Sequence, residues 1–284
     1  MSQTLALLGA GGKMGCRITD RIREDPAYDV RYVEPAEEGR ERLREHGVEE
    51  TTPSGEAVPG ADVVVMAVPD ERIGEIAESV VPRMDDGAML VLLDPAAAYA
   101  GMLPDPDGVC YFVTHPCHPS FFTAETSMDD EDTDWFGGQG RDPQDVVCAL
   151  HAGPEEAYAR GEAVARDVYA PVRTAHCVTT EQMAILEPAL SETLTATCLT
   201  VMREGLERAV EMGVPEDAAR EFLFGHVRIE MGIVFGYTDF PFSDGAQEAV
   251  EAAKRDIFVD DWEDRVFDLE NVRESAAEIA TPSD

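Results

Sequence analysis

Leu5 to Leu8 is an unbroken apolar run that stops on four closely spaced glycines, Gly9, Gly11, Gly12 and Gly15. A short apolar run bounded by glycine reads as a buried strand, and Met14 to Ile22 continues with helical spacing. Strand, tight turn and helix start thus follow one another at the head of the chain. Such a turn brings bare backbone N–H groups to a helix N-terminus, where the helix dipole favours a pyrophosphate. The dinucleotide-binding string G-x-G-x-x-G is missed by one residue, because Gly15 comes one position late after Gly9 and Gly11. Gly9, Gly12 and Gly15 do keep a regular spacing. The expected cofactor contacts are therefore Gly9, Gly11, Gly12, Lys13, Met14 and Gly15. The bland alternative is a glycine-rich turn that binds nothing.

The residues that follow fit a Rossmann domain. Asp29 to Val33 alternates as a second strand and closes on Glu34, 19 residues past Gly15. An acid at this point accepts the ribose hydroxyls of a dinucleotide. Glu37 and Glu38 add negative charge that would repel a 2′-phosphate, although Arg40 offers it a partner; NAD is therefore expected rather than NADP. Ala61 to Val68 and Met89 to Leu93 are continuous apolar runs, as strands covered on both faces should be. Val68, Pro69 and Asp70 form a turn where the nicotinamide half of the cofactor would pass. Helical segments alternate with these strands, which implies a doubly wound parallel sheet. Val146 to His151 is the last strand-like segment, and from Gly153 the pattern is helical. The expected fold class is α/β: a Rossmann domain over residues 1–150, then an all-helical substrate and dimerisation domain over residues 151–284. Within the second, Thr179 and Gln182 form a capping-box pattern at the start of a long helix in which Pro188 is expected to make a kink, and the last helix is expected from Trp262 to Ile279. Residues 126–145 read as an acidic surface loop, with Trp135 and Phe136 as its apolar contacts.

Charge narrows the setting. Asp and Glu total 58 against 22 Lys and Arg, a formal charge of −36. Lys13 and Lys254 are the lysines of the chain. The acid is spread along the sequence rather than gathered in a tail, which argues for a solvated shell adapted to high salt. A halophilic, cytoplasmic protein is expected. Nucleic acid is an unsuitable partner at this charge. The cysteines lack a C-x-x-C pair and read as reduced, mostly buried thiols. No run approaches the roughly 18 apolar residues of a membrane helix, and no targeting segment is expected ahead of the first strand.

Chemistry is expected at Thr114-His115-Pro116-Cys117-His118-Pro119, where a strand ends. Ligands of open α/β sheets bind at that end. Each histidine precedes a proline and is held extended. Two stiffly held imidazoles suit acid/base work on a hydroxyl; metal ligation and a purely structural crossover remain alternatives, and no metal is assigned. On the long helix, Glu187 lies on an apolar face, where burial would raise its pKa toward a useful range. Glu192, with His226 and Glu230 on a later helix, are candidates for substrate contact. Arg173 and Arg228 are candidates to hold a carboxylate.

Residues 9–15 (GAGGKMG), 63–70 (VVVMAVPD), 114–119 (THPCHP) and 179–188 (TTEQMAILEP) together resemble the D-apionate oxidoisomerase family, within the 6-phosphogluconate dehydrogenase-like hydroxyacid dehydrogenases. The resemblance covers essentially the whole chain. It implies an NAD-binding domain, a helical domain that dimerises, and NAD-dependent oxidation of a branched sugar acid coupled to a carbon shift. Plain hydroxyacid dehydrogenation and NAD sensing without turnover are the competing readings. Members of the wider group use a lysine on the interdomain helix as acid/base, but here no lysine lies between Lys13 and Lys254. The proton work then falls to His115, His118 or Glu187.

Overall fold

The computed structural model describes residues 2–121, 134–137 and 142–282. Most of the expected acidic loop at 126–145 lies outside them. The chain divides into two compact units, residues 1–187 with 273–284, and residues 188–272. The expected division near residue 150 falls inside the first unit.

Among the described residues the first unit is built on seven strands: β1 (Gln3–Leu8), β2 (Tyr28–Val33), β3 (Val63–Met66), β4 (Met89–Leu92), β5 (Cys110–Pro116), β6 (Gln144–Ala152) and β7 (Val172–Cys177). Their order in the sheet is β2-β1-β3-β4-β5-β6-β7. All neighbours are parallel except β5 and β6, which run antiparallel. The helices of this half are α1 (Lys13–Ile22), α2 (Glu37–Glu45), the single turn α3 (Ser54–Ala57), α4 (Ile73–Val80), the single turn α5 (Ala96–Tyr99), α6 (Tyr158–Val168) and α7 (Thr180–Ala184). The expected α/β Rossmann class holds, with one antiparallel pair added.

β3 and β4 are buried at every residue, because strands in the middle of a parallel sheet are covered on both faces. Leu5, Leu7, Val63, Val65, Met89, Val91 and Phe112 share one core cluster with Ile18 and Ile22 of α1 and Val164 and Val168 of α6. The alternate residues Ala6, Val64, Met66, Leu90 and Leu92 are equally buried. The chain leaves β1 toward β2 and returns on the other side of β1 to make β3. That reversal opens a crevice beyond the carboxyl ends of β1 and β3.

β7 departs from the expected helical pattern after Gly153. It is an edge strand with the sequence VRTAHC, and its residues are half-buried or exposed. An edge strand whose contribution to the core is only Val172 and Ala175 carries little apolar signal.

The long helix opens as expected. Thr179 Oγ1 accepts the Gln182 N–H at 3.1 Å and the Gln182 side chain accepts the Thr179 N–H at 2.9 Å. After α7 the backbone widens into π-helical turns over Ile185–Ala196 before tightening again into α8 (Thr197–Glu211). Pro188 lies inside this stretch and has no N–H to donate. Carbonyls there are met by hydroxyls five residues on, Thr193 to Pro188 at 2.7 Å and Thr195 to Leu190 at 2.8 Å. The disturbance expected at Pro188 is thus a change of helical pitch.

The second unit holds α8, α9 (Glu216–Val234), α10 (Asp244–Ile257) and α11 (Trp262–Phe267), and α12 (Leu269–Ile279) begins in it. The expected single helix from Trp262 to Ile279 is broken at Asp268, whose carboxylate caps the next turn by accepting the Glu270 and Asn271 N–H groups. The buried residues of this unit are Pro188, Ala189, Ala219 and Val272. Phe222, Phe235 and Phe240 are 68%, 67% and 79% exposed.

Candidate active site

Beyond β1 the chain turns on Gly9, whose φ is +74°, a conformation that favours glycine. A Cβ there would stand 2.3 Å from the Ala67 carbonyl oxygen, beyond β3. A Cβ on Gly15 would stand 2.3 Å from the Gly9 oxygen, and one on Gly11 would stand 2.3 Å from the Gly39 oxygen of α2. Only Gly12 has nothing closer than 3.1 Å. Gly12 caps α1 with extended backbone and no side-chain hydrogen bond. The first intrahelical bond is the Cys16 N–H to the Gly12 oxygen, 2.9 Å, so the Lys13, Met14 and Gly15 N–H groups precede it. The turn therefore presents backbone donors at a helix N-terminus, which suits a pyrophosphate.

Glu34 supports this turn. One carboxylate oxygen accepts the Gly11 N–H at 3.0 Å and the other accepts the Ala36 N–H at 3.0 Å. A carboxylate has about four acceptor sites, so capacity for ribose hydroxyls is left. Arg42, which sequence reasoning missed, donates Nε to the Gly11 carbonyl at 2.7 Å and locks the turn to α2. Its only sequence signal was position, two residues beyond the arginine already suspected. A cavity of about 610 Å³ opens here, and Gly9, Gly12, Glu34, Arg40, Val68 and Pro69 are among its lining residues. Asp70 follows Pro69 and starts a short 3₁₀ turn, and burial pushes its carboxyl up.

The histidines sit beside the same edge. β5 runs on through Pro116, so His115 is a strand residue paired with Val147 of β6. Its Nδ1 lies 2.9 Å from the Pro116 carbonyl oxygen. A carbonyl only accepts, so Nδ1 carries the proton and a neutral ring keeps Nε2 bare. Nε2 faces Glu187 Oε1 at 3.7 Å, the two side chains being 20% and 22% exposed. Burial, and then the neighbouring His118, push the His115 pKa down to about 4. The ring is therefore neutral near pH 7. His118 stands edge-on to it with ring centres 6.0 Å apart. Its φ of +58° is the left-handed conformation, not the extended one expected before proline, and it is the only such non-glycine residue among those described.

Phe136 joins the two halves. Its carbonyl accepts from His118 Nδ1 at 2.8 Å. Its ring carries Lys13 Nζ 3.9 Å from the centre and the Arg17 guanidinium 4.7 Å away. The glycine turn and the histidine loop, far apart in sequence, are thus bridged by one aromatic residue, expected only as a loop contact.

The remaining expected positions have settings of their own. Arg173 pairs with Asp145 at 3.1 Å, and Asp145 also meets His176 at 3.2 Å, so Arg173 is drawn to a surface cluster. Glu192, His226 and Glu230 lie in the second unit. His226 stacks on Phe222 with ring centres 3.9 Å apart and directs Nδ1 to the Phe222 carbonyl at 2.7 Å. Cys16, Cys110 and Cys148 are buried, but Cys117 and Cys177 are exposed and Cys198 is half-buried, fewer buried thiols than expected. Among the described residues, no group of three or more His, Cys, Asp or Glu side chains is arranged to hold a metal ion.

The chain matches two family models. Residues 124–280 match the C-terminal domain of decarboxylating phosphogluconate dehydrogenase, and residues 4–97 match the coenzyme F420-dependent NADP oxidoreductases. D-apionate oxidoisomerase of Rhizobium rhizogenes is 45% identical over 97% of this chain and 98% of its own length. D-apionate oxidoisomerase of Cupriavidus necator is 44% identical over 98% of this chain and 100% of its own. The chain belongs to the D-apionate oxidoisomerase family. A crystal structure from Cupriavidus necator, described as a semialdehyde dehydrogenase NAD-binding protein in complex with calcium and NAD, superposes with a TM-score of 0.92 at 44% identity, covering 98% of this chain and 100% of that one.

The buried imidazole has a pH signature. Its folded pKa of about 4 lies below the ordinary 6.5, so on acidification the unfolded chain takes up this proton first. The stability associated with neutral His115 is intact above about pH 6.5 and is lost as pH falls from there to about 4. Chemical denaturation of His115→Gln should therefore lose about 2–3 kcal/mol less than the parent between pH 7 and 4.5. Superimposable pH profiles would contradict a buried neutral ring.

Proposed function

We propose that this family member is an NAD-dependent oxidoreductase of the oxidoisomerase type, acting on a small polyhydroxy carboxylic acid such as apionate. The observation that carries the reading is the bridge through Phe136, which holds a histidine pair next to a dinucleotide-type glycine turn. The names of the curated relatives, and the NAD in the complex from Cupriavidus necator, support it.

In this reading the Lys13, Met14 and Gly15 N–H groups with Gly9, Gly11 and Gly12 hold the pyrophosphate, and Glu34 holds the adenosine ribose. Val68, Pro69 and Asp70 flank the nicotinamide half. NAD, when bound, supplies the acceptor for a hydride. His115 Nε2, bare in the neutral ring, takes the proton of the substrate hydroxyl as the carbon is oxidised to a carbonyl. The resulting imidazolium is stabilised by Glu187, which needs to close by less than 1 Å from its 3.7 Å separation to form a hydrogen bond. His118 orients the hydroxyl or returns a proton in the carbon shift. The proposed substrate contacts of the helical part are Glu192, His226 and Glu230. This division of labour replaces the lysine used elsewhere in the wider group.

Asn at His115 and His118 separates catalysis from sensing. The doubly substituted protein should bind NADH within about threefold of the parent and lose about 10²-fold or more in turnover of a sugar acid. Unchanged turnover would remove both histidines from the chemistry.

The helical part is also proposed to form a homodimer. Burying an exposed phenylalanine is worth about 1.5–3 kcal/mol, and Phe222, Phe235 and Phe240 leave that gain unrealised in one copy of the chain. The acidic shell supports a salt-adapted protein of the cytoplasm. Light scattering on eluted protein should give twice the chain mass in molar KCl, with dissociation or unfolding in dilute buffer. A monomer in molar KCl would refute the dimer, and indifference to salt would refute the adaptation.

A further inference from the structure

We infer that Glu37 sets cofactor selectivity indirectly, by holding Arg40 away from any anion at the ribose end of the cavity. The inference rests on reading that cavity as the dinucleotide site.

Arg40 and Arg42 line the cavity next to Glu34 and Pro35. Two guanidinium groups at this place would ordinarily welcome a 2′-phosphate, which carries close to two negative charges and takes an arginine fork bidentately. In this fold both are turned to protein acceptors. Arg42 gives Nε to the Gly11 carbonyl. Arg40 gives Nε and Nη2 to one Glu37 oxygen at 3.1 and 2.6 Å, and Nη1 to the Glu34 and Pro35 carbonyls at 3.1 and 2.6 Å. The other Glu37 oxygen takes Arg44 Nη2 at 3.2 Å.

The Nε–Nη2 edge of a guanidinium is the edge that makes forked contacts with phosphates, and here that edge belongs to Glu37. Hydrogen bonds from Arg40 and Arg44 hold the Glu37 carboxyl below its usual range, so it remains an anion over the whole working range of pH. With Arg40 closed in this way, the charge left facing the ribose is Glu34. A hydroxyl pair finds an acceptor there, and a phosphate finds repulsion. Glu34 is thus one half of the selectivity, and Glu37 is the half that keeps a neighbouring cation from cancelling it.

The test uses binding rather than turnover. The full-length protein and its Glu37→Ala, Arg40→Ala and Glu37→Ala/Arg40→Ala variants are titrated calorimetrically in molar KCl with 5′-AMP and with adenosine 2′,5′-bisphosphate. NADH and NADPH are titrated in parallel by fluorescence. Glu37→Ala should tighten the bisphosphate and NADPH about tenfold relative to AMP and NADH, the size of one charge-assisted hydrogen bond. Adding Arg40→Ala should erase the gain. An unchanged ratio in Glu37→Ala overturns the inference, and so does a gain that persists without Arg40, because removal of one negative charge would then explain it. Should Glu37→Ala fail to fold, Glu37→Leu keeps the side-chain bulk without an acceptor and carries the same expectation. Wild-type protein that binds neither AMP nor NADH would overturn the dinucleotide reading itself, and the inference with it.

Discussion

Backbone meets backbone at the head of this sheet with no side chain between, and the candidate site depends on that approach. Gly9 lies against Ala67, Gly15 against Gly9, and Gly11 against Gly39. Any side chain at these points would push β1, α1 and α2 apart and close the crevice at the reversal between β1 and β3. The off-register glycine string now has a physical cause. Gly9, Gly12 and Gly15 shape the strand-to-helix turn, whereas Gly11 is small because α2 passes over it. Glu34 and Arg42 then fix the same residue, Gly11, from both sides, through its N–H and its carbonyl. These bonds hold the turn without a ligand, which lowers the ordering cost of binding.

Burial and hydrogen-bond direction, rather than proximity alone, decide what the histidine loop can do. The Pro116 carbonyl fixes the His115 tautomer, and burial keeps the ring neutral. A bare nitrogen therefore points toward a carboxylate that can stabilise the charge it gains. The left-handed backbone at His118 is unfavourable for a side-chain-bearing residue, and its bond to Phe136 helps to hold it. Through Lys13 and Arg17, the same phenylalanine reaches the helix whose N-terminus forms the turn. The glycine turn and the histidine pair are thereby built into one unit of the fold.

Much of the scaffold was legible in the sequence because buried parallel strands leave long apolar runs. β1, β3 and β4 stand out as such runs, and α1 as the helical spacing that follows the glycines. The capping box at Thr179 and Gln182 was read correctly from two side chains. β7 escaped, since an edge strand with polar residues resembles a loop, and the break at Asp268 escaped because a capping aspartate looks like any other acid in so acidic a chain. His115, His118 and Glu187 were each picked out for their local setting. That His115 and Glu187, 72 residues apart, face each other follows only from the pairing of β5 with β6 and the start of the long helix. Arg173 illustrates the converse, a plausible position captured by Asp145 on a neighbouring strand.

The family, the glycine turn and the neutral histidine beside Glu187 converge on one claim, that this chain oxidises a short sugar acid with NAD. NADH absorbance, followed in molar KCl with D-apionate and a panel of other short polyhydroxy carboxylates, tests it most directly. NADH should accumulate with at least one of these acids and with NAD in preference to NADP. Protein that binds NADH yet produces none from any member of the panel would contradict the claim.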